Sequence, residues 1–428
     1  MNQSESRWFG LALLVIIYVL NFLDRTLIFV LFPTIKAEFH FSDLQLALLG
    51  STSFVIFYTL LGVPFGRMSD RVNRVWLIAG GLFTWSLFSG LTALCHEFST
   101  LFLCRLMVGV GEATLGPSAL SLLSDWFEPK RRATVQSLFT LGIPVGAGLA
   151  FFLGGAIGQT YGWRMAFLTL GFPGVILALA FLKVKDPARK KTLNASMTRN
   201  LFAVFKIPAL RSLLGGYAAI AIASNAISMW LPIYLIRTQH LSLMQVGKYS
   251  ALSLLTFGAL ATALGGAWAD KLRLKDLGGR LLFSAIASTL ASFAWFLVLW
   301  QSPLQWWAFA VLPGLGLIWL GAAAADVHEL VLPEERGIAI AWYYLVVNGV
   351  GYGFAPPVIG YLSDRLGSQT DPIQMRTALL VCPVAALIGS LILLRARQQV
   401  RLQNFHESVD PLIDSARRGP PLGAFVKL

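Results

Sequence analysis

The chain has 428 residues, of which 56% are hydrophobic and 13% are charged, and its formal net charge is +13. A water-soluble fold cannot bury so large an apolar fraction, so the composition excludes an ordinary soluble domain. The positive charges lie in loops between long apolar stretches, and the net charge therefore does not predict binding to nucleic acid. The composition indicates an integral membrane protein whose solvent is the bilayer.

Apolar stretches of about 20 residues or more recur along the chain, long enough to cross a roughly 30 Å hydrocarbon core as helices. The first begins near Trp8 and is too long for a cleaved signal peptide. In the first half we predict six spans, over residues 8–32, 45–66, 75–95, 99–123, 134–158 and 164–183. In the second half we predict six more, over residues 211–236, 244–268, 281–300, 304–326, 338–361 and 374–395.

These spans predict an all-α membrane protein with twelve transmembrane helices in two pseudo-symmetric six-helix bundles. The bundles cover residues 1–184 and 211–395, a basic linker at 185–210 joins them, and a tail covers 396–428. Positively charged loops resist translocation, and most Lys and Arg fall on one side when both termini are cytoplasmic. No presequence is evident, so we expect a multi-pass protein of a bacterial inner (cytoplasmic) membrane.

An internal repeat supports the division into two bundles. The segment Gly66-Arg-Met-Ser-Asp70-Arg71, after the second span, matches Gly266-Ala-Trp-Ala-Asp270-Lys271, after the eighth span, 200 residues later. The loop rich in Glu, Pro and Arg after the fourth span likewise has a match after the tenth. Duplicated six-helix units are the means by which secondary transporters build alternating access.

Ionisable side chains inside a bilayer are costly, so those left within the spans are functional candidates. Asp24 and Arg25 lie in the first span, and Arg105 and Glu112 lie in the fourth, seven residues apart and on one helix face. A guanidinium stabilises an ionised carboxylate, so an Arg105 that exchanges between Asp24 and Glu112 decides which of them holds a proton. The alternative is a permanent ion-pair network that ties the two helices together.

A second charged cluster lies at the cytoplasmic ends of the spans. Asp70, Arg71 and Arg74 follow the second span and are candidates for a latch on the cytoplasmic gate, with Asp270 and Lys271 as a weaker second copy. The alternative is a solvated loop that only fixes topology.

The second half offers a candidate substrate cavity with aromatic walls and few polar groups. We see no charged residue at mid-depth there. Core packing or interface anchoring is the alternative for most of the candidates, which are Asn225, Trp230, Trp342, Tyr343, Tyr344 and Asn348.

No pattern of a cofactor site is present in the sequence. The five histidines are scattered, without the spacing of a metal site, and no strand precedes a glycine-rich phosphate loop. We therefore predict neither a cofactor nor a catalytic metal, and no ATP-driven pump.

Several segments resemble the major facilitator superfamily, and more narrowly its spinster branch, which includes lysolipid and sphingosine-phosphate transporters. They are Gly66 to Arg74 with its copy at Gly266, the Gly/Pro pattern from Gly142 to Gly155, Asn21-Phe-Leu-Asp24-Arg25, Arg105 to Ala113, and Ser124 to Arg132. The resemblance implies a proton-linked carrier with its cavity between two halves. It also implies that Asp24, Arg105 and Glu112 are the coupling residues and that the substrate is an amphipathic lipid.

Three functional hypotheses remain open at this point. The first is a proton-coupled carrier of lysophospholipids or sphingoid-type lipids, with Arg25 or Arg105 near an anionic head group. The second is a proton-coupled symporter of small organic anions, since such symporters share the Asp-Arg pair and a Gly-Glu-Ala segment. The third is a membrane enzyme or receptor. It would require a nucleophile paired with a base, or a large soluble domain, and neither is evident in the sequence. We expect a monomer.

Overall fold

The computed structural model describes residues 3–187, 203–300, 316–332, 335–368 and 370–418. Within these ranges the chain forms helices joined by short turns, and no strand is present. The predicted all-α fold class is confirmed.

The first bundle consists of six long helices. They are α1 (Gln3–Phe39), α2 (residues 43–69), α3 (Arg74–Leu91), α4 (98–126), α5 (129–161) and α6 (163–181). Several of them are assembled from shorter helical segments, namely Asp43–Ala47, Leu48–Thr52 and Ser53–Ser69 in α2, Phe98–Glu112 and Leu115–Trp126 in α4, Pro129–Thr140 in α5 and Pro173–Phe181 in α6. A short 3₁₀ turn, Thr92–Leu94, follows α3.

Helices α5 and α6 meet at Gly162, where the chain reverses direction. The helical stretch Gly142–Gly171 contains this one residue with φ +85°, a left-handed conformation that glycine adopts without strain. Residues before it follow α1, and residues after it return along α3: Gly158 lies against Leu31, and Gly174 against Ser86. Separate helices were predicted at 134–158 and 164–183, close to these positions.

The second bundle has the same plan. Its helices are α7 (Pro208–Gln239), α8 (243–275), α9 (Gly279–Trp300), α10 (Leu320–Glu329), α11 (336–365) and α12 (374–418). The segments within them are Leu243–Ser253, Leu254–Gly258 and Ala259–Lys275 in α8, Arg336–Asn348, Gly349–Phe354 and Ala355–Arg365 in α11, and Gln374–Leu379 and Val381–Arg418 in α12. A 3₁₀ turn, Ala203–Lys206, precedes α7.

Ten helical stretches of the described residues are long and apolar enough to cross a membrane. One of them, Val135–Phe181, contains both α5 and α6, which gives eleven crossing helices in the part of the chain that the structure describes. Most of the predicted span at 304–326 lies outside the described residues, as do 188–202 of the linker and 419–428 of the tail. The predicted tail begins as helix, because α12 continues to Arg418.

The helices define two faces of the molecule. The terminal face carries the first residues of α1, where Trp8 packs on Phe127 with ring centroids 5.1 Å apart, and the later turns of α12. The distal face carries the α1–α2 and α7–α8 turns at residues 40–42 and 240–242.

Close helix contacts depend on small residues, as expected where lipid gives no hydrophobic drive between helices. A β-carbon at Gly146 of α5 would overlap the Val19 carbonyl oxygen of α1. The glycine-rich pattern in the fifth span therefore serves helix packing at this position.

Three helices contain a π-helical segment: α2 at Leu48–Thr52, α8 at Leu254–Gly258 and α11 at Gly349–Phe354. A π-helical turn frees backbone groups from the regular hydrogen-bond ladder and is frequent at functional sites. The segments of α2 and α11 meet across the two bundles, where the Thr52 hydroxyl donates to the Gly353 carbonyl oxygen at 2.8 Å.

Candidate functional site

The membrane-embedded charges of the first bundle come together between α1, α3 and α4. Asp24 on α1 is almost completely buried, and its Oδ1 accepts a hydrogen bond from the Ser89 hydroxyl of α3 at 2.8 Å. The partner of this buried carboxyl group is therefore a hydroxyl that can both donate and accept a hydrogen bond.

The neighbouring residue of α1, Arg25, makes the central ion pair. Its Nη2 lies 2.7 Å, and its Nε 3.2 Å, from Oε2 of Glu112. Three aromatic rings surround the guanidinium, with centroids 4.8 Å (Phe22), 4.4 Å (Phe54) and 4.8 Å (Tyr58) from its central carbon. Arginine is stabilised over aromatic faces, so these rings support the cation while excluding water.

Arg105, predicted as the switching partner, is completely buried next to the pair. Its Nη1 approaches the backbone oxygen of Asp24 at 3.4 Å, while Nε and Nη2 have no hydrogen-bond partner among the described residues. The structure thus brings Asp24, Arg105 and Glu112 together, but Arg25 makes the hydrogen bonds to Glu112. The second carboxylate oxygen of Glu112, Oε1, is also buried without a partner in the described part of the chain.

Local backbone geometry places Glu112 at this position. The first segment of α4 ends at Glu112, and the chain turns at residues 113–114 before α4 resumes. A β-carbon at Gly109 would overlap the Phe54 carbonyl oxygen, so α4 approaches α2 as closely as two backbones allow. This approach brings Glu112 and the aromatic residues of α2 to the same guanidinium.

The predicted substrate residues of the second bundle have different environments. Trp230 is buried, and its Nε1 donates to the Pro356 carbonyl oxygen at 3.0 Å, while Tyr343 is buried against Tyr217. Tyr344 is 53% exposed, and Asn225 and Asn348 are half-buried. Tyr344, Asn225 and Asn348 therefore keep exposed surface, whereas Trp230 and Tyr343 pack inside the bundle.

The predicted gate residues at the terminal face divide into two groups. Arg74, at the start of α3, is buried, with Nη1 2.6 Å from Asp125 Oδ2 and Nη2 2.6 Å from Asp186 Oδ1. Asp70 and Arg71 are exposed on the preceding turn. Arg74 therefore ties α3, α4 and the segment that follows α6 together within one bundle.

The second bundle repeats this arrangement with another arginine. Arg280, at the start of α9, lies 2.7 Å from Asp270 Oδ1 and 2.9 Å from Glu329 Oε2. Asp270 thus has a partner within its own bundle, and Lys271 is exposed. Arg280 occupies the position that Arg74 has in the first bundle, a correspondence that motif spacing alone did not reveal.

A further ion pair joins the α8–α9 connection to α12. Although partial burial alone raises the pKa of Asp276, hydrogen bonds from Arg401 and Arg397 lower it from 3.8 to about 2. A depressed folded-state pKa contributes stability that is present above the unfolded pKa and is lost as pH falls through the folded value.

Asp276→Asn is expected to lower the unfolding free energy by at most about 1 kcal/mol at neutral pH, because the group is near the surface. The difference from the wild type should persist above about pH 4 and shrink between about pH 4 and 2. Thermal unfolding in detergent at several pH values measures it. A difference that stays constant down to pH 2 contradicts the role of this ion pair.

Several residues of these networks were not predicted from the sequence. Ser89 carries no signal of its own, because a serine in a membrane span is common and its partner is decided by packing. Tyr352, on the π-helical segment of α11, reaches Phe54 with ring centroids 6.2 Å apart and so brings the second bundle to the edge of the charge cluster. Asp326 of α10 is buried one turn from the helix end and accepts a hydrogen bond from the Tyr217 hydroxyl at 2.6 Å.

Two six-helix bundles with paired charges buried between their helices define a membrane transport protein. The family model described as Major Facilitator Superfamily matches residues 14–356. The chain belongs to this family.

Curated relatives agree with this assignment and include proteins named as an efflux pump and as a transporter. The chain is 29% identical to an "MFS-type efflux pump" of Mycolicibacterium smegmatis, over 90% of this chain and 91% of that protein. It is also 29% identical to "Protein spinster homolog 1" of Homo sapiens, over 95% and 86% of the two chains. A "Probable L-galactonate transporter" of Escherichia coli is 26% identical, over 89% and 87%.

Solved structures support the same fold. A bacterial homolog of the human lysosomal transporter Spinster, in an inward-facing and unoccupied conformation, superposes with a TM-score of 0.77 at 24% identity, covering 93% of this chain and 96% of that chain. Its inward-facing and occupied form gives a TM-score of 0.76 at 25% identity, covering 92% and 96%. The predicted resemblance to the spinster branch is confirmed, and the relatives are not enzymes.

Proposed function

We propose that this transporter is coupled to protons and carries amphipathic lipids of the lysophospholipid or sphingoid type across a bacterial inner membrane, with both termini cytoplasmic. The observation that supports it best is the Arg25–Glu112 ion pair, which is enclosed by aromatic rings and lies beside the buried Asp24. Buried carboxyl groups within a membrane protein are typical of proton relays.

The geometry suggests how protons and substrate are linked. Protonation of Glu112 removes the charge that Arg25 pairs with, and the guanidinium is then available to a phosphate of an incoming head group. Arg105, whose Nε and Nη2 have no described hydrogen-bond partner, is a second candidate for this anion. When the substrate leaves, Glu112 loses its proton and the ion pair reforms.

The surroundings of Arg25 favour a substrate with an apolar part. Phe22, Phe54 and Tyr58 cover the guanidinium, so an anion that binds there must pass aromatic surface. A lipid can place its head group on the arginine and its chain along the rings, whereas a small hydrophilic anion leaves the rings without a partner. Several relatives are spinster homologues, which is consistent with this choice.

A symporter of small organic anions is the second candidate. One relative of the chain carries the name of an L-galactonate transporter, at 26% identity. Arg25 and Arg105 would serve a sugar-acid carboxylate as well as a phosphate.

The test is proton flux in proteoliposomes that contain an internal pH dye. A lysophospholipid, a phosphorylated sphingoid base and a small sugar acid are added separately. We expect flux with the lysophospholipid or the phosphorylated sphingoid base, and a decrease of about tenfold or more in Glu112→Gln, in line with the loss of one acid–base group.

Glu97→Gln is the matched control, because it is the same substitution at an exposed residue just before α4. It should retain the wild-type flux. Full proton flux in Glu112→Gln would rule out the coupling role, and flux with the sugar acid alone would replace the lipid assignment by the second candidate.

A further inference from the structure

Two matching turns lie at the distal face, one in each bundle. His40-Phe-Ser42-Asp43-Leu-Gln45 and His240-Leu-Ser242-Leu243-Met-Gln245 are separated by 200 residues. Both histidines have a left-handed backbone, with φ of 56° and 52°. Both serines cap the following helix, α2 or α8, in a reciprocal capping box with a glutamine. The turns are therefore structural copies of each other.

Each of these helix starts is held by a side chain of the opposite bundle. The carboxylate of Asp364, at the end of α11, accepts hydrogen bonds from the backbone N–H groups of Asp43 and Leu44, each at 2.9 Å. In the matching place, Oε1 of Gln159, at the end of α5, accepts from the N–H of Met244 at 2.7 Å.

A glycine permits the close approach in both places. A β-carbon at Gly360 of α11 would lie 2.7 Å from the Asp43 carbonyl oxygen, and one at Gly155 of α5 would lie 3.0 Å from the Leu243 carbonyl oxygen. The two bundles thus meet at the distal face through two equivalent joints, α2 with α11 and α8 with α5.

The two joints differ in charge. Asp43 is fully buried, and its carboxylate accepts hydrogen bonds from Arg237 at 2.6 and 2.8 Å and from the Ser363 hydroxyl at 2.6 Å. Lys36 of α1 forms a second ion pair with Asp43. At the matching positions of the repeat, each charge is replaced by an apolar residue: Leu243 for Asp43, Ile236 for Lys36, and Ala37 for Arg237.

We propose that these residues form an asymmetric clasp that holds the distal face closed, in which the charged joint around Asp43 sets the equilibrium between the closed and open states. The neutral joint at Gln159 makes a weaker contribution, because a neutral hydrogen bond on an exposed side chain is worth less than a charge-assisted one. The inference depends on neither the substrate nor proton coupling.

The two cations have opposite roles in this clasp. Arg237 belongs to the second bundle and leaves Asp43 when the bundles separate, so its ion pair stabilises only the closed state. Lys36 belongs to the same bundle as Asp43 and stays with it in the open state. There it keeps the Asp43 carboxylate paired after Arg237 has left, which avoids the cost of a buried charge without a partner. Removing Arg237 should therefore favour opening, and removing Lys36 should favour closure.

Distances between two spin labels, measured by electron–electron double resonance, test the clasp. The labels are attached to Ser99→Cys and Thr370→Cys, two exposed distal-face positions in different bundles, after the three buried native cysteines are replaced by alanine. Arg237→Met is expected to raise the ratio of open to closed protein by about tenfold or more, the effect of losing a charge-assisted pair of hydrogen bonds. Lys36→Met should leave that ratio unchanged or lower it.

Gln159→Ala is the control for the neutral joint, and it should raise the ratio by no more than about threefold. An unchanged ratio in Arg237→Met, or an equal increase in Lys36→Met, overturns the proposal. If Arg237→Met does not fold, Arg237→Lys keeps the charge but loses the two-pronged hydrogen bonding. Arg237→Lys should still raise the ratio of open to closed protein by about threefold. An unchanged ratio in this variant would overturn the proposal.

Discussion

Arg25→Met is expected to abolish coupled transport and to lower the free energy of unfolding by about 3–5 kcal/mol, the usual cost of leaving a buried charge without its partner. The Glu112 side chain has no exposed surface, and Arg25 provides two of its hydrogen bonds. Methionine keeps much of the apolar volume against the three aromatic rings, so the charge is the main loss. Unfolding in detergent and proton flux in proteoliposomes measure the two effects.

The double variant Arg25→Met/Glu112→Gln separates stability from function. It removes both charges, so most of the lost stability should return, because a buried ion pair replaced as a whole is often neutral for stability. Transport should remain absent, since both the proton-binding group and the head-group cation are missing. A double variant as unstable as Arg25→Met contradicts the assignment of the cost to the unpaired Glu112.

Arg74→Ala is expected to lower the unfolding free energy of the first bundle by about 3–5 kcal/mol. The buried guanidinium contacts Asp125, Asp186 and the Ser121 hydroxyl, at 2.6, 2.6 and 2.8 Å, and therefore joins three parts of the bundle. Its loss leaves Asp186, which is nearly buried, without its main partner. Thermal unfolding of the purified protein measures the change.

Arg71→Ala is the matched control for Arg74→Ala, because Arg71 is an exposed arginine three residues earlier. Surface substitutions of this kind usually change stability by about 0.5 kcal/mol or less. Equal destabilisation by the two substitutions contradicts the structural role of Arg74. If Arg74 acts only as a gate latch, transport should fall while the unfolding temperature stays unchanged.

Much of the fold could be predicted from the sequence, because each membrane helix must carry about 20 apolar residues whatever its neighbours are. The predicted spans at 75–95 and 281–300 correspond closely to α3 and α9. The largest differences occur at the helix ends, as at α1, which extends to Phe39 rather than to residue 32. Helix ends project beyond the hydrocarbon core, where polar residues no longer interrupt a helix.

The residues of the candidate site were predicted from the sequence, but the ion pairs that they form were not. Asp24, Arg25, Arg105 and Glu112 were identified because ionisable residues are expensive in a bilayer. Which arginine meets Glu112 depends on the rotation of α1 about its axis, since adjacent side chains on a helix point about 100° apart. Asp24 consequently turns toward Ser89 of α3, and Arg25 turns toward α2 and α4.

The membrane location of this protein, its helices, its internal repeat and the identity of its buried charges could all be predicted from the sequence, because each of them follows from local composition. The partners of the charged residues depend on the packed structure: Arg25 pairs with Glu112, Arg280 takes the place of Arg74, and Asp43 pairs with residues of the opposite bundle. These pairs join residues that are 87, 10 and 194 positions apart. Their geometry is set by how whole helices pack, which no local pattern in the chain records.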